Sequence, residues 1–253
     1  ENCYNMIISL RMCKNEKEVA LIKESIATTK RAILNVMSHH NELSNESIAN
    51  AYHDFTIIKE GKTLSFNDII ASGHNATVLH YDDNNSDILP NSLLLMDVGC
   101  YTKHYSSDIT RTFPVNGKFT KRQKEVYEVV LDTNKKCIEY ATAGMSWKEL
   151  NDYANNLLAK GLIKLGLIKD ISELRKYYFH SIGHSLGLDV HDPSHASEGL
   201  KEGMVITIEP GLYIPEESIG IRIEDNIMIT KEKAILLSKD IIKEVEDIEN
   251  FLK

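Results

Sequence analysis

The chain has 253 residues, 42% of them hydrophobic and 26% charged, with a formal net charge of −8. That length can bury a sizeable core in one large domain or two small ones. The acidic balance lacks the basic stripe of a nucleic-acid binder, and no run approaches the roughly 18 apolar residues a membrane span needs.

Glu1-Asn-Cys-Tyr-Asn-Met carries no signal-peptide pattern and no initiator Met, so a fragment or a processed form is expected. Cys3, Cys13, Cys100 and Cys137 are scattered without a C-x-x-C pair. They read as reduced thiols in a cytoplasmic protein and argue against a Cys-type zinc site.

Asn15 to His39 has the pattern of a long helix, with Val19, Ile22, Ile26, Ile33 and Val36 at three- and four-residue spacing. A second helix follows Ser44 and carries Ile48 and Tyr52. The period then changes. Asp68-Ile-Ile-Ala-Ser-Gly and Ser92-Leu-Leu-Leu-Met-Asp-Val-Gly read as strands, the latter buried on both faces, with a polar loop at Asp82 to Ser86. Thr120 to Thr142 is helical again, Gly144 suits its carboxyl-terminal cap, and Ser146-Trp-Lys-Glu149 is a capping box for the next helix. Tyr178 to Gly183, Val205 to Glu209, Ile219 to Met228 and Ala234 to Leu237 read as strands. Ile241 to Leu252 reads as a short strand or helix on the surface.

The order helix, helix, strands thus occurs twice. Lys17-Glu-Val19 and Lys124-Glu-Val126 stand near the start of each long helix, and Ser44 and Ser146 near the start of each shorter one. This suggests an internal duplication, with two α+β halves and a site between them. No stretch rich in Pro, Gly or Ser separates the halves, so one domain is expected.

Five residues carry the chemistry: Asp97, Asp108, His184, Glu209 and Glu224. Each sits in an apolar or glycine-flanked stretch, where a carboxylate is costly to bury without a cation. Asp97 and Asp108 lie eleven positions apart in neighbouring apolar segments. An antiparallel hairpin with matching parity would turn both to one face. His180, His184 and His191 fall within twelve residues, interleaved with glycines. Imidazole is the common nitrogen ligand, and glycine lets backbone approach a ligand closely. The spacing is not H-E-x-x-H, so a zincin helix is not supported. Glu209 and Glu224 each stand in a β-branched run. Four carboxylates and one histidine suit Mn, Co, Zn or Fe. Two bridging carboxylates would hold a pair of ions about 3.5–4 Å apart, an arrangement that serves hydrolysis.

At these residues the sequence resembles the M24 metallopeptidases of pita-bread fold, and among them the Xaa-Pro aminopeptidases (aminopeptidase P) and prolidases. The matching blocks are Leu79-His80-Tyr81, Met96-Asp97-Val-Gly, Ser107-Asp108-Ile-Thr-Arg-Thr-Phe, His180-Ser-Ile-Gly-His184-Ser-Leu-Gly-Leu-Asp-Val-His191-Asp, Thr207-Ile-Glu209-Pro-Gly-Leu-Tyr and Gly220-Ile-Arg-Ile-Glu224-Asp. They run in family order across residues 80–225. The resemblance implies an α+β fold whose two pseudo-symmetric halves surround a curved, mostly antiparallel sheet. It implies two divalent ions, manganese first, with cobalt, zinc and iron as alternatives. Asp97 and His184 would each bind one ion, Asp108 and Glu224 would bridge, and Glu209 would bind and act as general base. His80 and His191 match substrate-binding histidines that stabilise the tetrahedral intermediate. His180 matches a histidine of the proline-side pocket, and Arg222 an arginine contacting the final Glu ligand or the substrate.

The implied activity removes an amino-terminal residue that precedes proline from a peptide. Prolidase is the alternative within the branch. Methionine aminopeptidase is less favoured, because its histidine block usually reads Gly-His-Gly-Ile-Gly followed by Phe-His-Glu. A metal-free binding module or a creatinase would normally lack ligands that this chain keeps. His195, in Pro193-Ser-His195-Ala, reads as a loop residue. Residues 1–12 are expected to be the end of an interdomain connection and 13–253 one catalytic domain, with the family's amino-terminal domain absent. A homo-oligomer is left open as an assembly, and neither nucleic acid nor membrane is expected as a partner.

Overall fold

In the computed structural model, Asn15 opens the long helix by the reciprocal capping its sequence allows. Its side chain accepts from the Lys17 and Glu18 amides, and the Glu18 carboxylate accepts from the Asn15 amide at 2.8 Å. The structure describes residues 3–253; residues 1 and 2 of the expected 1–12 connection lie outside the described residues.

The elements in order are α1 (Tyr4–Met12), α2 (Glu16–Ser38), α3 (Glu46–Lys59), β1 (Thr63–Leu64), β2 (Ile69–Ser72), β3 (Leu93–Val98), β4 (Cys100–Thr102), β5 (Tyr105–Ser106) and β6 (Ile109–Pro114). Then come α4 (Lys121–Tyr140), α5 (Trp147–Lys164), β7 (Val205–Ile208), β8 (Gly211–Ile214), β9 (Ile219–Arg222), β10 (Asp225–Met228), β11 (Ile235–Leu236) and α6 (Val245–Phe251).

Two helix pairs precede two three-stranded antiparallel sheets. The α2–α3 pair leads into the sheet β2-β3-β6, and the α4–α5 pair into β11-β10-β7. The expected repeat of helix, helix, strands is therefore visible in the architecture. Smaller pairings, β8 with β9 and β1-β4-β5, complete the strands among the described residues. One apolar core takes side chains from both halves: Ile22, Ile33 and Val36 of α2 meet Phe113 of β6, Val126 and Val130 of α4, and Ile221 of β9.

The second helix follows Ser44 as expected, running from Glu46 with Asn45 as its cap; the Asn45 side chain accepts from the Ser47 amide at 2.9 Å. Within the expected connection, residues 4–12 form a helix, with Ile8 and Met12 buried in a core cluster beside Ile182 and Met204. Two expectations need correction. Tyr178 to Gly183 is not a regular strand. It runs irregularly beside β7, where the Glu209 amide donates to the Ile182 carbonyl and the Thr207 amide to the His184 carbonyl. Gly183 permits that approach, since a Cβ there would lie 2.0 Å from the Thr207 carbonyl oxygen. Finally, Ile219 to Met228 is two strands, broken at Ile223 and Glu224. The chain changes partner there, from β8 to β7. The remaining alternative, 241–252, resolves as helix α6, with Val245 and Ile248 buried.

Candidate active site

The four expected carboxylate ligands sit at strand ends or strand breaks and His184 in the irregular segment beside β7, and all five converge on one cleft. Asp97 is near the end of β3, and its register partner on β6 is Thr110. Asp108 precedes Thr110 by two residues, so it falls on the face that Asp97 occupies, as the parity of the two segments predicts. Glu224 stands in the break between β9 and β10. Its amide donates to the Thr110 carbonyl at 3.0 Å, and Thr110 Oγ1 donates to Glu224 Oε2 at 2.8 Å. Glu209 follows β7 directly and precedes Pro210, between β7 and β8.

Imidazole completes the group. His184 Nε2 lies 3.4 Å from Asp108 Oδ2 and 3.7 Å from Glu209 Oε1. Its other nitrogen, Nδ1, donates to the Ser185 carbonyl at 3.0 Å, which leaves the Nε2 lone pair facing the carboxylates. Ligand atoms of Asp108, His184 and Glu224 all lie within 4.8 Å of one another. Burial, and then repulsion from Asp97 and Glu209, raises the Asp108 carboxyl well above the usual range. Burial and the neighbouring Asp108 and Glu209 do the same to Glu224. Burial also raises Glu209, against the opposing influence of His184 and Arg222.

Arg222 is buried at the back of this cluster. Its Nη2 donates to Asp97 Oδ2 at 2.7 Å, Nε to Thr110 Oγ1 at 3.0 Å, and Nη1 to the Tyr213 hydroxyl at 2.9 Å. The Tyr213 hydroxyl in turn donates to His180 Nε2 at 2.9 Å, while His180 Nδ1 donates to the Ser181 carbonyl at 2.8 Å. Burial and then Arg222 lower His180 to about 4, so its ring is neutral across ordinary pH. Arg222 thus contacts the Asp97 carboxylate directly and reaches His180 through Tyr213.

The open side is a cleft of about 780 Å³. All nine sequence-predicted site residues line it: Asp97, Asp108, His184, Glu209 and Glu224 with His80, His180, His191 and Arg222. His80 and His191 are exposed on its walls, and the His191 ring stands edge-on to His184 with centroids 4.2 Å apart. Burial and then the neighbouring His184 hold His191 below its ordinary value. A larger groove of about 950 Å³, between α4 and α5, holds none of the predicted ligands. His195 faces away from the cleft and contacts Ser9 at 3.1 Å.

Sequence reasoning passed over several supports. Asn226 grips Asp108 through both its amide and its carbonyl, at 3.2 and 2.6 Å. Arg111 Nη1 donates to the Glu224 carbonyl at 2.6 Å, and Arg111 Nη2 to Asp225 Oδ1 at 2.8 Å. Tyr213, Arg111 and Asp225 all lie in or beside the motif blocks, where adjacency to a ligand was the available signal. Asn226 stands directly after the last block, two residues from Glu224, and carried the same signal.

A second acid–imidazole group, His53 with Asp54 and Asp68, lies between α3 and the start of β2 and contains no predicted ligand. His53 Nδ1 is 2.5 Å from Asp68 Oδ2, with both side chains buried. Burial raises the Asp68 carboxyl to about 6, against the opposing pull of His53.

The main cluster fits a divalent-metal centre. It offers four carboxylates and one imidazole, a donor set for hard or borderline cations. Asp97 Oδ1 is buried with no hydrogen-bond partner, and the raised Asp108 and Glu224 mark negative charge that a cation would neutralise. Fold and site together define a metallohydrolase architecture. The chain belongs to metallopeptidase family M24, whose profile matches residues 20–231. It is 38% identical to the mitochondrial intermediate cleaving peptidase 55 of Arabidopsis thaliana over 96% of this chain and 52% of that one. It is 37% identical to the Xaa-Pro aminopeptidase of Haemophilus influenzae over 98% of this chain and 62% of that one. A Bacillus anthracis structure described as an aminopeptidase P superposes with a TM-score of 0.98 at 49% identity, covering 100% of this chain and 61% of that one. The fold is therefore the pita-bread fold expected from the sequence. The chain spans roughly half to three-fifths of the length of these relatives.

Proposed function

We propose that this protein is a two-metal exopeptidase that hydrolyses the bond between an amino-terminal residue and a following proline. The observation that carries the reading is the convergence of Asp108, His184 and Glu224 within 4.8 Å in the cleft that His80, His180 and His191 also line. Asp97, Asp108, His184, Glu209 and Glu224 would hold the ions. When bound, the ions supply a strong nucleophile near neutral pH and polarise the scissile carbonyl. Manganese is our first assignment among the ions this set accepts.

The protein's own groups do the rest. Glu209, raised by burial, can take a proton from the attacking water. It then delivers that proton to the proline nitrogen as the carbon–nitrogen bond breaks, releasing a free amino acid and a peptide beginning with proline. His191, neutral and exposed in the cleft, donates a hydrogen bond to the developing oxyanion. His80 would contact the peptide from the cleft wall it lines. His180 has both ring nitrogens engaged, so it offers the proline ring an apolar face. Arg222 holds Asp97 in position.

Four unpaired cysteines support a reducing, cytoplasmic location, and no helix among the described residues is long and apolar enough to cross a membrane. We further propose that residues 13–253 form the catalytic domain, preceded by the end of a connection.

The test is a peptide panel offered to the full-length protein before and after chelation and manganese restoration. Cleavage of Xaa-Pro-Xaa tripeptides, lost on chelation and recovered with manganese, is expected. Cleavage of Xaa-Pro dipeptides alone would reassign the protein as a prolidase, and a preference for Met-initiated peptides would overturn the branch. Finding neither metal nor hydrolysis would remove the enzymatic reading.

A further inference from the structure

Glu46 is a buried carboxylate with no cation among its hydrogen-bond partners, and it sits on the far side of the loop that carries His80. It is fully inaccessible to solvent, at the first position of α3. There the aligned peptide dipoles favour negative charge. Its Oε1 accepts from the Ser72 amide at 2.7 Å, Ser72 Oγ at 2.9 Å and Asn75 Nδ2 at 3.1 Å. Its Oε2 accepts from the Tyr81 hydroxyl at 2.7 Å and the Ser86 amide at 3.0 Å.

Every one of those donors belongs to residues 72–86, the segment that leaves β2, crosses the cleft rim and returns toward β3. The bonds grip its start, its middle and its end. The Glu46 amide adds a sixth tie by donating to the Ser86 carbonyl at 2.9 Å. On its other face the segment rests on β9. A Cβ at Gly220 would lie 1.9 Å from the Ala76 carbonyl oxygen, so backbone meets backbone there. The segment is thus fixed between a buried anion and a strand that ends in Arg222.

His80 precedes Tyr81. Tyr81 is buried with its hydroxyl on Glu46, whereas His80 is exposed and lines the cleft. His80 is the last residue of a turn and Tyr81 follows it directly, so anchoring Tyr81 inward fixes the backbone from which His80 reaches the cleft. Neutral donors alone hold the charge of Glu46, and an amide in its place would offer two N–H groups to partners that are themselves donors. The arrangement therefore depends on a carboxylate and not merely on a side chain of that size.

We propose that Glu46 is a positioning residue for catalysis, holding His80 at the substrate through the loop 72–86. This rests on the role given above to His80. A small displacement of such a group is enough to cost about 10-fold or more in rate.

The experiment is a double-mutant cycle between Glu46→Gln and His80→Ala, read as kcat and KM on an Xaa-Pro-Xaa tripeptide, with hydrogen exchange followed on the amides of residues 74–85. Glu46→Gln should lower kcat/KM by about 10-fold or more and divide the loss between kcat and KM as His80→Ala does. In the His80→Ala background it should cost less than about 2-fold. Exchange across 74–85 should quicken in Glu46→Gln and stay unchanged in His80→Ala. If Glu46→Gln does not fold, Tyr81→Phe removes one of the five bonds and should show the same non-additivity at smaller amplitude. Additive losses, or unaltered exchange, overturn the proposal while leaving the role of His80 intact. A His80→Ala variant with undiminished turnover removes both.

Discussion

Arg222→Met isolates the electrostatic problem at the centre of the site. The guanidinium makes three hydrogen bonds, but its loss falls unevenly. Tyr213 keeps its bond to His180 and Thr110 keeps its bond to Glu224. Asp97 has no such reserve: Oδ1 already lacks a partner and Oδ2 would lose Arg222. Removing one member of a buried ion pair costs about 3–5 kcal/mol, chiefly through the charge left behind. Urea unfolding of the chelated protein should therefore show a loss of that size. Arg222→Lys keeps a charge but not the planar fork, and it should lie between wild type and Arg222→Met. Adding Asp97→Asn to Arg222→Met removes the stranded charge and should recover about 2 kcal/mol or more of the loss, a clear departure from additivity. A cost below about 1 kcal/mol for Arg222→Met, or strict additivity in the double variant, refutes the reasoning.

Glu209→Gln keeps the size of the side chain and removes the proton carrier, so turnover should drop by about 10²–10⁴-fold with the unfolding midpoint retained; a loss under 10-fold would reject the assignment. Because Asp108 and Glu224 hold protons above the usual carboxylate range, manganese uptake should release protons. Titration calorimetry in two buffers of different ionisation enthalpy measures that release, and equal heats in both would contradict it. At His53, burial opposes the charged ring, and the neighbouring Asp54 and Asp68 carboxylates outweigh it, giving a value raised to about 9. A raised folded value adds stability that is complete below the unfolded value of about 6.5 and is lost as pH climbs through about 9. Stability to urea should thus fall between pH 7 and pH 9.5, roughly, by up to about 3 kcal/mol, with a flatter profile in His53→Gln.

Helices α2, α4 and α5 were legible because their signals are local. Asn15, Thr120 and Ser146 each close a capping box within three residues, and the apolar periods between caps are unbroken. The four candidate carboxylate ligands were legible for a related reason: a carboxylate inside an apolar stretch is costly wherever that stretch is buried, and His184 was marked by its neighbouring histidines and glycines. What failed were features that depend on a partner distant in sequence. The segment 178–183 has strand-like residues, but its neighbour β7 admits only an irregular pairing beside Gly183. The run 219–228 looks continuous, and it breaks because Ile223 and Glu224 bond to Pro210 and Thr110 in place of one strand.

The amino-acid order by itself determined which residues could bear metal chemistry and which stretches would be helix or strand, since both follow from side-chain type and spacing. Tertiary structure alone decided what holds those residues. Arg222 meets Asp97 across 125 positions, Asn226 grips Asp108 across 118, and Glu46 gathers donors up to 40 residues away. Such contacts leave no periodic trace, because their geometry exists only once the two halves of the chain have closed around the cleft.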